Sequence, residues 1–164
     1  MKIRIETAAD IPAIEQVITD AMRLLAQATG TEAAIVERLR VANALSLSLV
    51  AEEGGEVIGY LAASAARVGQ QDGWSLIGPV AVAPAHRLSG VGTALMREAL
   101  RRLRETSRGA ALVGDPVYYA RFGFRTFPEL FVPDCPPEVV QAISFDGAEP
   151  CGELIHHPAF GLDQ

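Results

Sequence analysis

Apolar residues recur along the chain with two different periods, and the switches between them lay out the elements. Lys2–Glu6 alternates polar and apolar positions, as a short strand does. Thr7-Ala8-Ala9-Asp10 follows, a hydroxyl with a carboxylate three residues on, which is the pattern of a capping box. Ile11, Ile14, Val17, Ile18, Met22 and Leu25 then return at helical spacing and predict a helix to about Ala28. Gly30 ends it, and Thr31 can cap a second helix over about Glu32–Val41. Leu47–Glu52 and Val57–Ala66 predict two strands joined at Gly54-Gly55, a hairpin signal. Trp74–Val82 predicts a third long strand, in which Pro79 implies a bulge or a broken ladder.

The second half continues in the same way. Gly90–Glu105 has the strongest helical pattern, with Leu95, Met96, Ala99, Leu100 and Leu103 on one stripe and Arg97, Arg101, Arg104 and Arg108 on another side. Ala110–Gly114 is a short apolar strand. Asp115-Pro116 reads as an N-cap followed by proline at the first helical position, opening a helix to Phe122 that Gly123 stops. Phe124–Phe127 is strand-like. A proline-rich connection from Pro128 to Pro137 leads to expected strands near Val140–Phe145 and Gly152–His156. The order β α α β β β α β α β plus a tail describes a mixed α/β (α+β) chain, with antiparallel hairpins early and a crossover helix late. No repeat or dividing linker interrupts it, so one domain over residues 1–164 is expected, with a core to about residue 127 and an extension beyond.

Composition narrows the class. The 164 residues are 49% hydrophobic, enough for a packed core and too many for a disordered chain. The longest nearly unbroken apolar stretches, Ala44–Ala51 and Tyr60–Ala66, fall short of the roughly 18 residues of a membrane span, so no membrane partner is expected. The start lacks the apolar region of a signal peptide, and the expected address is cytoplasmic. Cys135 and Cys151 form no C-x-x-C and read as reduced thiols, with no metal expected.

Net charge is −6, which disfavours a nucleic-acid partner. Its distribution is uneven. Between Arg87 and Arg108 six arginines face two glutamates, whereas Thr126–Gln164 holds seven acids and no Lys or Arg. A local basic patch on an acidic protein suits a small phosphorylated ligand, or is simply the solvated face of an arginine-rich helix.

The segment from Ile77 to Leu95 carries the most chemistry. A strand of small and β-branched residues ends at Val82, Pro84 turns the chain, Arg87-Leu88-Ser89-Gly90-Val91-Gly92 follows, and then the arginine-striped helix begins. Two glycines clear side chains from a helix N-terminus whose free amides and dipole attract an anion. A Walker loop is excluded because no Lys-Ser or Lys-Thr follows. A dinucleotide fingerprint fits poorly, since Leu95 stands where a third small residue belongs.

Val82-x-Pro84-x-x-Arg87-x-x-Gly90-x-Gly92 resembles the acetyl-CoA motif of the GNAT superfamily of N-acetyltransferases. Tyr119-Ala120-Arg121-Phe122-Gly123-Phe124 resembles that family's later Y-x-x-x-G-F motif, at the expected distance. The segment from Gly114-Asp115-Pro116 to Phe124, with the tail Gly152–Phe160, is similar to a bacterial branch of predicted acetyltransferases. The element order matches the family over about residues 2–127.

The resemblance implies a splayed sheet and a set of roles. Val80, Ala81 and Val82 would pair their backbone with the pantetheine arm. Leu88, Ser89, Gly90, Val91, Gly92 and Thr93 would cradle the pyrophosphate through main-chain amides. Arg87 would contact phosphate or brace the loop, and Arg97, Arg101 or Arg102 would meet the 3′-phosphate. Acetyl-CoA would be the co-substrate of a transfer to an amine, by direct attack in a ternary complex.

Tyr119 would be the general acid for the departing thiolate, its alternative being a packing aromatic beside Phe122 and Phe124. Tyr118, one residue earlier, reads as packing. The base is open: Asp115 is one candidate and also an N-cap, and Glu52 and Asp72 are others. His156 and His157 in the tail are conceivable proton carriers or plain members of a terminal strand. The family's frequent Asn before the tyrosine has no counterpart, Leu112 falling near its place. Trp74 either lines the acceptor cleft or packs.

The acceptor would be a small-molecule or protein amine, with the acidic tail favouring a cation, and two copies could pair through the tail strands. The alternative is an acyl-CoA-binding module that lost its chemistry.

Overall fold

The computed structural model describes residues 1–25 and 28–163. Strands β1 (Lys2–Ile5), β2 (Leu45–Glu53), β3 (Glu56–Val68) and β4 (Gln71–Val82) run antiparallel in that order. Helices α1 (Ile11–Met22) and α2 (Glu32–Val41) lie between β1 and β2, and α3 (Val91–Leu103) links β4 to β5 (Gly109–Val113). The β4–β5 pair is parallel, as a crossover helix requires. A short α4 (Pro116–Tyr119) follows, then β6 (Leu130–Phe131), β7 (Val140–Ser144) and β8 (Gly152–Ile155). β7 adds antiparallel to β5, and β8 joins the far end of β3 and pairs with β6.

The expected elements differ from these mainly at their ends. α1 stops at Met22, where backbone bonding gives way to turns at Arg23–Leu25; Ala26 and Gln27, within the longer helix expected there, lie outside the described residues. Phe124–Phe127 is not a strand: only Arg125 makes an isolated bridge, to Ala142, and the strand forms later, at Leu130–Phe131. Phe124 and Phe127 are apolar because both are buried, one in each of two clusters, not because they alternate in a ladder. The Gly54-Gly55 turn has φ of +60° and +81°, the pair of positive values that a two-residue hairpin needs. Near Pro79 the β3–β4 register shifts between Leu61 and Ala63, the bulge its missing N–H implies.

The sheet is covered on both faces. Leu95, Met96, Ala99 and Leu103 of α3 pack on Leu49, Leu61, Ala63 and Leu112. Ile14, Val17 and Ile18 of α1, with Val36 of α2, cover Val50, Tyr60 and Ala62 on the other face. α3 sits close to β3 because Gly59 has no side chain: a Cβ there would lie 2.7 Å from Val91 Cγ1. That contact fixes where α3 begins, directly beside the end of β4.

Polar ties hold the α1–α2 layer to the sheet. Arg40 of α2 donates to both carboxylate oxygens of Glu6, at 2.8 and 2.9 Å, and Ser48 joins Glu6 to the buried Tyr60 hydroxyl, 2.7 Å away. Asp10 completes the capping box by accepting from the Thr7 N–H at 2.7 Å and is held by Arg4 on both oxygens. Burial pushes the Glu6 pKa up, but the bonds from Arg40 and Ser48 outweigh it and hold the carboxyl below its ordinary value.

A carboxylate depressed in this way stabilises the fold above its unfolded pKa and loses that contribution as pH falls through the folded one. Thermal stability is therefore expected to drop below about pH 4. Arg40→Ala should cost about 2 kcal/mol at pH 7, since it strands a half-buried carboxylate, and should flatten the acid-side decline. Melting curves from pH 3 to 7 check both.

Candidate active site

β4 and β5 pair only at their start, through Trp74–Gly109, Ser75–Ala110 and Leu76–Ala111. Beyond Leu76 they separate, while β4 stays bonded to β3 as far as Val82. The β5-facing backbone edge of Val80, Ala81 and Val82 therefore borders a gap. β5 is instead clamped from its other side by β7 over its whole length.

The glycine segment stands at the mouth of that gap. Ala83 is held to Ile58 at 2.8 Å, and Pro84–His86 forms one tight turn. Leu88 at φ +62° and Gly90 at φ +87° then twist the chain into α3. The Ser89 hydroxyl bonds the His86 carbonyl within the loop. Among the described residues no side chain caps α3, and the first helical bond is Ala94 N–H to the Gly90 carbonyl at 3.0 Å, so the amides from Gly90 to Thr93 have no helical partner. A Cβ on Gly92 would lie 3.2 Å from the Tyr118 hydroxyl and 3.8 Å from Val82 Cγ2. The loop, the end of β4 and the Tyr118 hydroxyl thus meet at one point.

Two consecutive tyrosines point in different directions because they sit on one helical turn. Tyr118 turns to the glycine segment, its ring under the Arg121 guanidinium at 4.5 Å. Its hydroxyl lies beside Gly92, a placement that the packing role expected of Tyr118 does not include. Tyr119 turns inward against Phe124, centroids 6.0 Å apart, and against the end of β5. A Cβ on Gly114 would lie 2.6 Å from Tyr119 Cε2, so only glycine leaves room for that ring. The buried Gln141 donates to the Gly114 carbonyl at 3.1 Å and fixes this backbone. Burial, with Tyr118 and Asp115 nearby, pushes the Tyr119 phenol up to about 12. Its hydroxyl makes no hydrogen bond among the described residues.

The other candidates fall in several places. Asp115 accepts from the Val117 N–H at 2.9 Å, the geometry of an N-cap. Glu52 is bound to Arg4 at 2.9 Å, and Asp72 to Arg67 at 3.1 Å, on the β3–β4 hairpin. His157 accepts from the Ala159 N–H at 3.1 Å and shapes a turn. Trp74 is buried over Gly109 and packs. Arg87 is exposed with no ion pair among the described residues. Arg101 and Arg102 both grip Glu98, while Arg97, Arg101, Arg104 and Arg121 surround a hollow of about 320 Å³.

A larger cleft, about 650 Å³, opens on the same gap. Leu76 to Pro79 of β4 and Val113 of β5 line it where those strands part. Its other sides come from Glu32 and Ile35 of α2, Val132 and Cys135, and His156 and Phe160. No short motif reveals this cleft, because its walls come from five segments separated along the chain. Among the described residues, no group of three or more His, Cys, Asp or Glu could hold a metal ion, and no helix is long and apolar enough to cross a membrane.

Comparison with known proteins agrees with this architecture. An acetyltransferase of Brucella melitensis, solved in complex with acetyl-CoA, is 40% identical with a TM-score of 0.86, covering 97% of both chains. The YhbS N-acetyltransferase of Escherichia coli, solved in complex with CoA, is 30% identical with a TM-score of 0.87, covering 98% of this chain and 91% of that one. The curated YhbS of strain K12, an uncharacterized N-acetyltransferase, is 38% identical over 127 residues, 76% of this chain and 73% of that protein. Residues 14–124 match the sequence model of the Acetyltransferase (GNAT) family, and the chain belongs to that family.

Proposed function

We propose that this protein is an acetyl-CoA-dependent N-acetyltransferase that passes the acetyl group to a primary amine by direct attack. The observation that carries the proposal is the uncapped start of α3 at the mouth of the gap between β4 and β5, with Tyr119 packed against the residue that follows β5. The acetyl-CoA complex of the 40% identical Brucella acetyltransferase supports the same ligand here.

In this reading the amides from Gly90 to Thr93 bind the pyrophosphate, with the helix dipole adding attraction. Leu88, Ser89 and Arg87 shape the loop, and the Tyr118 hydroxyl closes over it. The basic hollow ringed by Arg97, Arg101, Arg104 and Arg121 takes the phosphorylated nucleotide end. Val80, Ala81 and Val82 offer their free backbone edge to the pantetheine arm, and one N–H there polarises the thioester carbonyl.

The amine nitrogen then attacks the carbonyl carbon, the C–S bond breaks, and the sulfur receives its proton from Tyr119 while the nitrogen gives one up. Asp115, tied at one oxygen to Val117, still has its other oxygen free as an acceptor for that proton through water. His156, in the wall of the cleft, is the stronger candidate because it faces the space an amine would occupy.

Calorimetric titration with acetyl-CoA and CoA, followed by a thiol-release assay over an amine panel, tests this. Saturable binding with thiol release on at least one amine is the expected result. Binding with no release on any amine would support a non-catalytic acyl-CoA module, and no binding would remove the site.

A further inference from the structure

The large cleft has an uneven chemistry that bears on which amine it takes. Its described lining is mostly aliphatic and aromatic, with Ile35, Ile77, Val113, Val132 and Phe160 on facing walls. It contains one carboxylate, Glu32, one imidazole, His156, and no Lys or Arg among the described residues. The acids of the tail that are described do not line it, so the tail's charge is not what a bound acceptor meets.

Glu32 is built into its place. One of its oxygens accepts from the Thr29 N–H at 2.9 Å and the Thr29 hydroxyl at 3.1 Å, and the other from the Gly30 N–H at 3.1 Å. Burial acts to raise its pKa, but these donors prevail and hold it below the ordinary glutamate value. The carboxylate is thus ionised and immobile at the lip between this cleft and the groove along α1. A fixed negative charge beside apolar walls favours a cation on a hydrophobic body and repels a second carboxylate on the same body.

We infer that the acceptor is a small monoamine on an apolar body without a carboxylate, and that Glu32 is the residue that selects it. The inference rests on the acetyltransferase reading above and refines it. A volume of about 650 Å³ suits a molecule of that size, since small-ligand sites usually span about 300–1,000 Å³. The parting point of β4 and β5 forms the floor, where the amine meets the gap; Glu32 lines the same cleft and acts on that end through its charge across the apolar space, which a carboxylate beside the amine would have to enter. Glu32 is a specificity residue, because its loop bonds leave it unsuited to taking a proton.

Phenethylamine and phenylalanine carry the same apolar body and differ by one carboxylate, so they form the test pair. The wild type should bind acetyl-CoA and acetylate phenethylamine with a kcat/KM at least about tenfold above that for phenylalanine. Glu32→Gln should bring the two within about twofold, chiefly through KM, with acetyl-CoA affinity unchanged. Glu32→Asp, which keeps the charge, should retain the preference, a rescue that a merely structural role for the loop would not give.

Equal or better use of phenylalanine overturns the inference, as does turnover confined to polyamines or lysine peptides. Hexanoyl-CoA binding about tenfold tighter than acetyl-CoA also overturns it, by assigning the cleft to an acyl chain. If acetyl-CoA does not bind at all, the transferase reading fails by itself. Phenethylamine titration then judges the cleft alone, and no saturation, or saturation equal to that by phenylalanine, overturns it.

Discussion

Gly92→Glu is expected to weaken acetyl-CoA binding by at least about 100-fold while leaving the protein folded. The position is the second residue of α3, where a side chain would start 3.2 Å from the Tyr118 hydroxyl and 3.8 Å from Val82. A glutamate there places its carboxylate among the amides from Gly90 to Thr93. It then fills the site from within and repels a diphosphate approaching the same groups. The fold should not suffer, because an acid in the first turn of a helix is stabilising by about 0.3–1 kcal/mol.

Gly92→Ala separates bulk from charge. Its methyl needs only a small shift of the tyrosine, and the loss should stay within about tenfold. Gly90→Ala acts differently again, since at φ +87° any side chain strains the backbone by about 1–2 kcal/mol. Titration calorimetry beside a melting curve distinguishes the three. Unchanged affinity in a folded Gly92→Glu protein would remove the glycine loop from the binding site.

Local signals were strong where one segment decides its own conformation. The Thr7–Asp10 box, the Gly54-Gly55 turn, the irregularity at Pro79 and the Asp115-Pro116 helix start were all legible, because each depends on hydrogen bonds or φ values within a few residues. Phe124–Phe127 misled because a short segment bounded by two aromatics reads as a strand, whereas the two are buried in different clusters and the segment makes an isolated bridge at Arg125 instead of a ladder. Leu130–Phe131 is a strand only because β8 returns to pair with it, a contact across some twenty residues.

The site divides along the same line. The glycine loop and Tyr119 are contiguous motifs and could be named from the sequence. The separate direction of Tyr118 needed the helical turn on which the two tyrosines diverge. Glu32, Cys135 and His156 meet only because α2, the segment before β7 and the end of β8 converge on the opening between β4 and β5, which no spacing along the chain encodes.

Tyr119→Phe is expected to lower kcat by about 100- to 1,000-fold, with acetyl-CoA affinity within about twofold of wild type. Phenylalanine keeps the ring, and with it the contact to Phe124 and the fit against Gly114, so the melting temperature should change little. What is lost is one proton donor.

The phenol at about 12 is a weaker acid than a free tyrosine, which sets it further above a thiol of about 8.5. The cause of the rise is chiefly burial, however, and burial also raises the basicity of a thiolate released in the same place. The two values move together, so the donor stays matched to the group it serves. The raised value also keeps the proton in place throughout the usual assay range, and no alkaline limb from Tyr119 should appear in the pH profile below pH 10 or so.

A leaving group that needs no proton gives the deciding comparison. With 4-nitrophenyl acetate as acyl donor, Tyr119→Phe and wild type should differ by less than about threefold, whereas with acetyl-CoA the large deficit should persist. Near wild-type turnover of acetyl-CoA by the variant would reduce Tyr119 to a packing aromatic and pass the sulfur's proton to solvent.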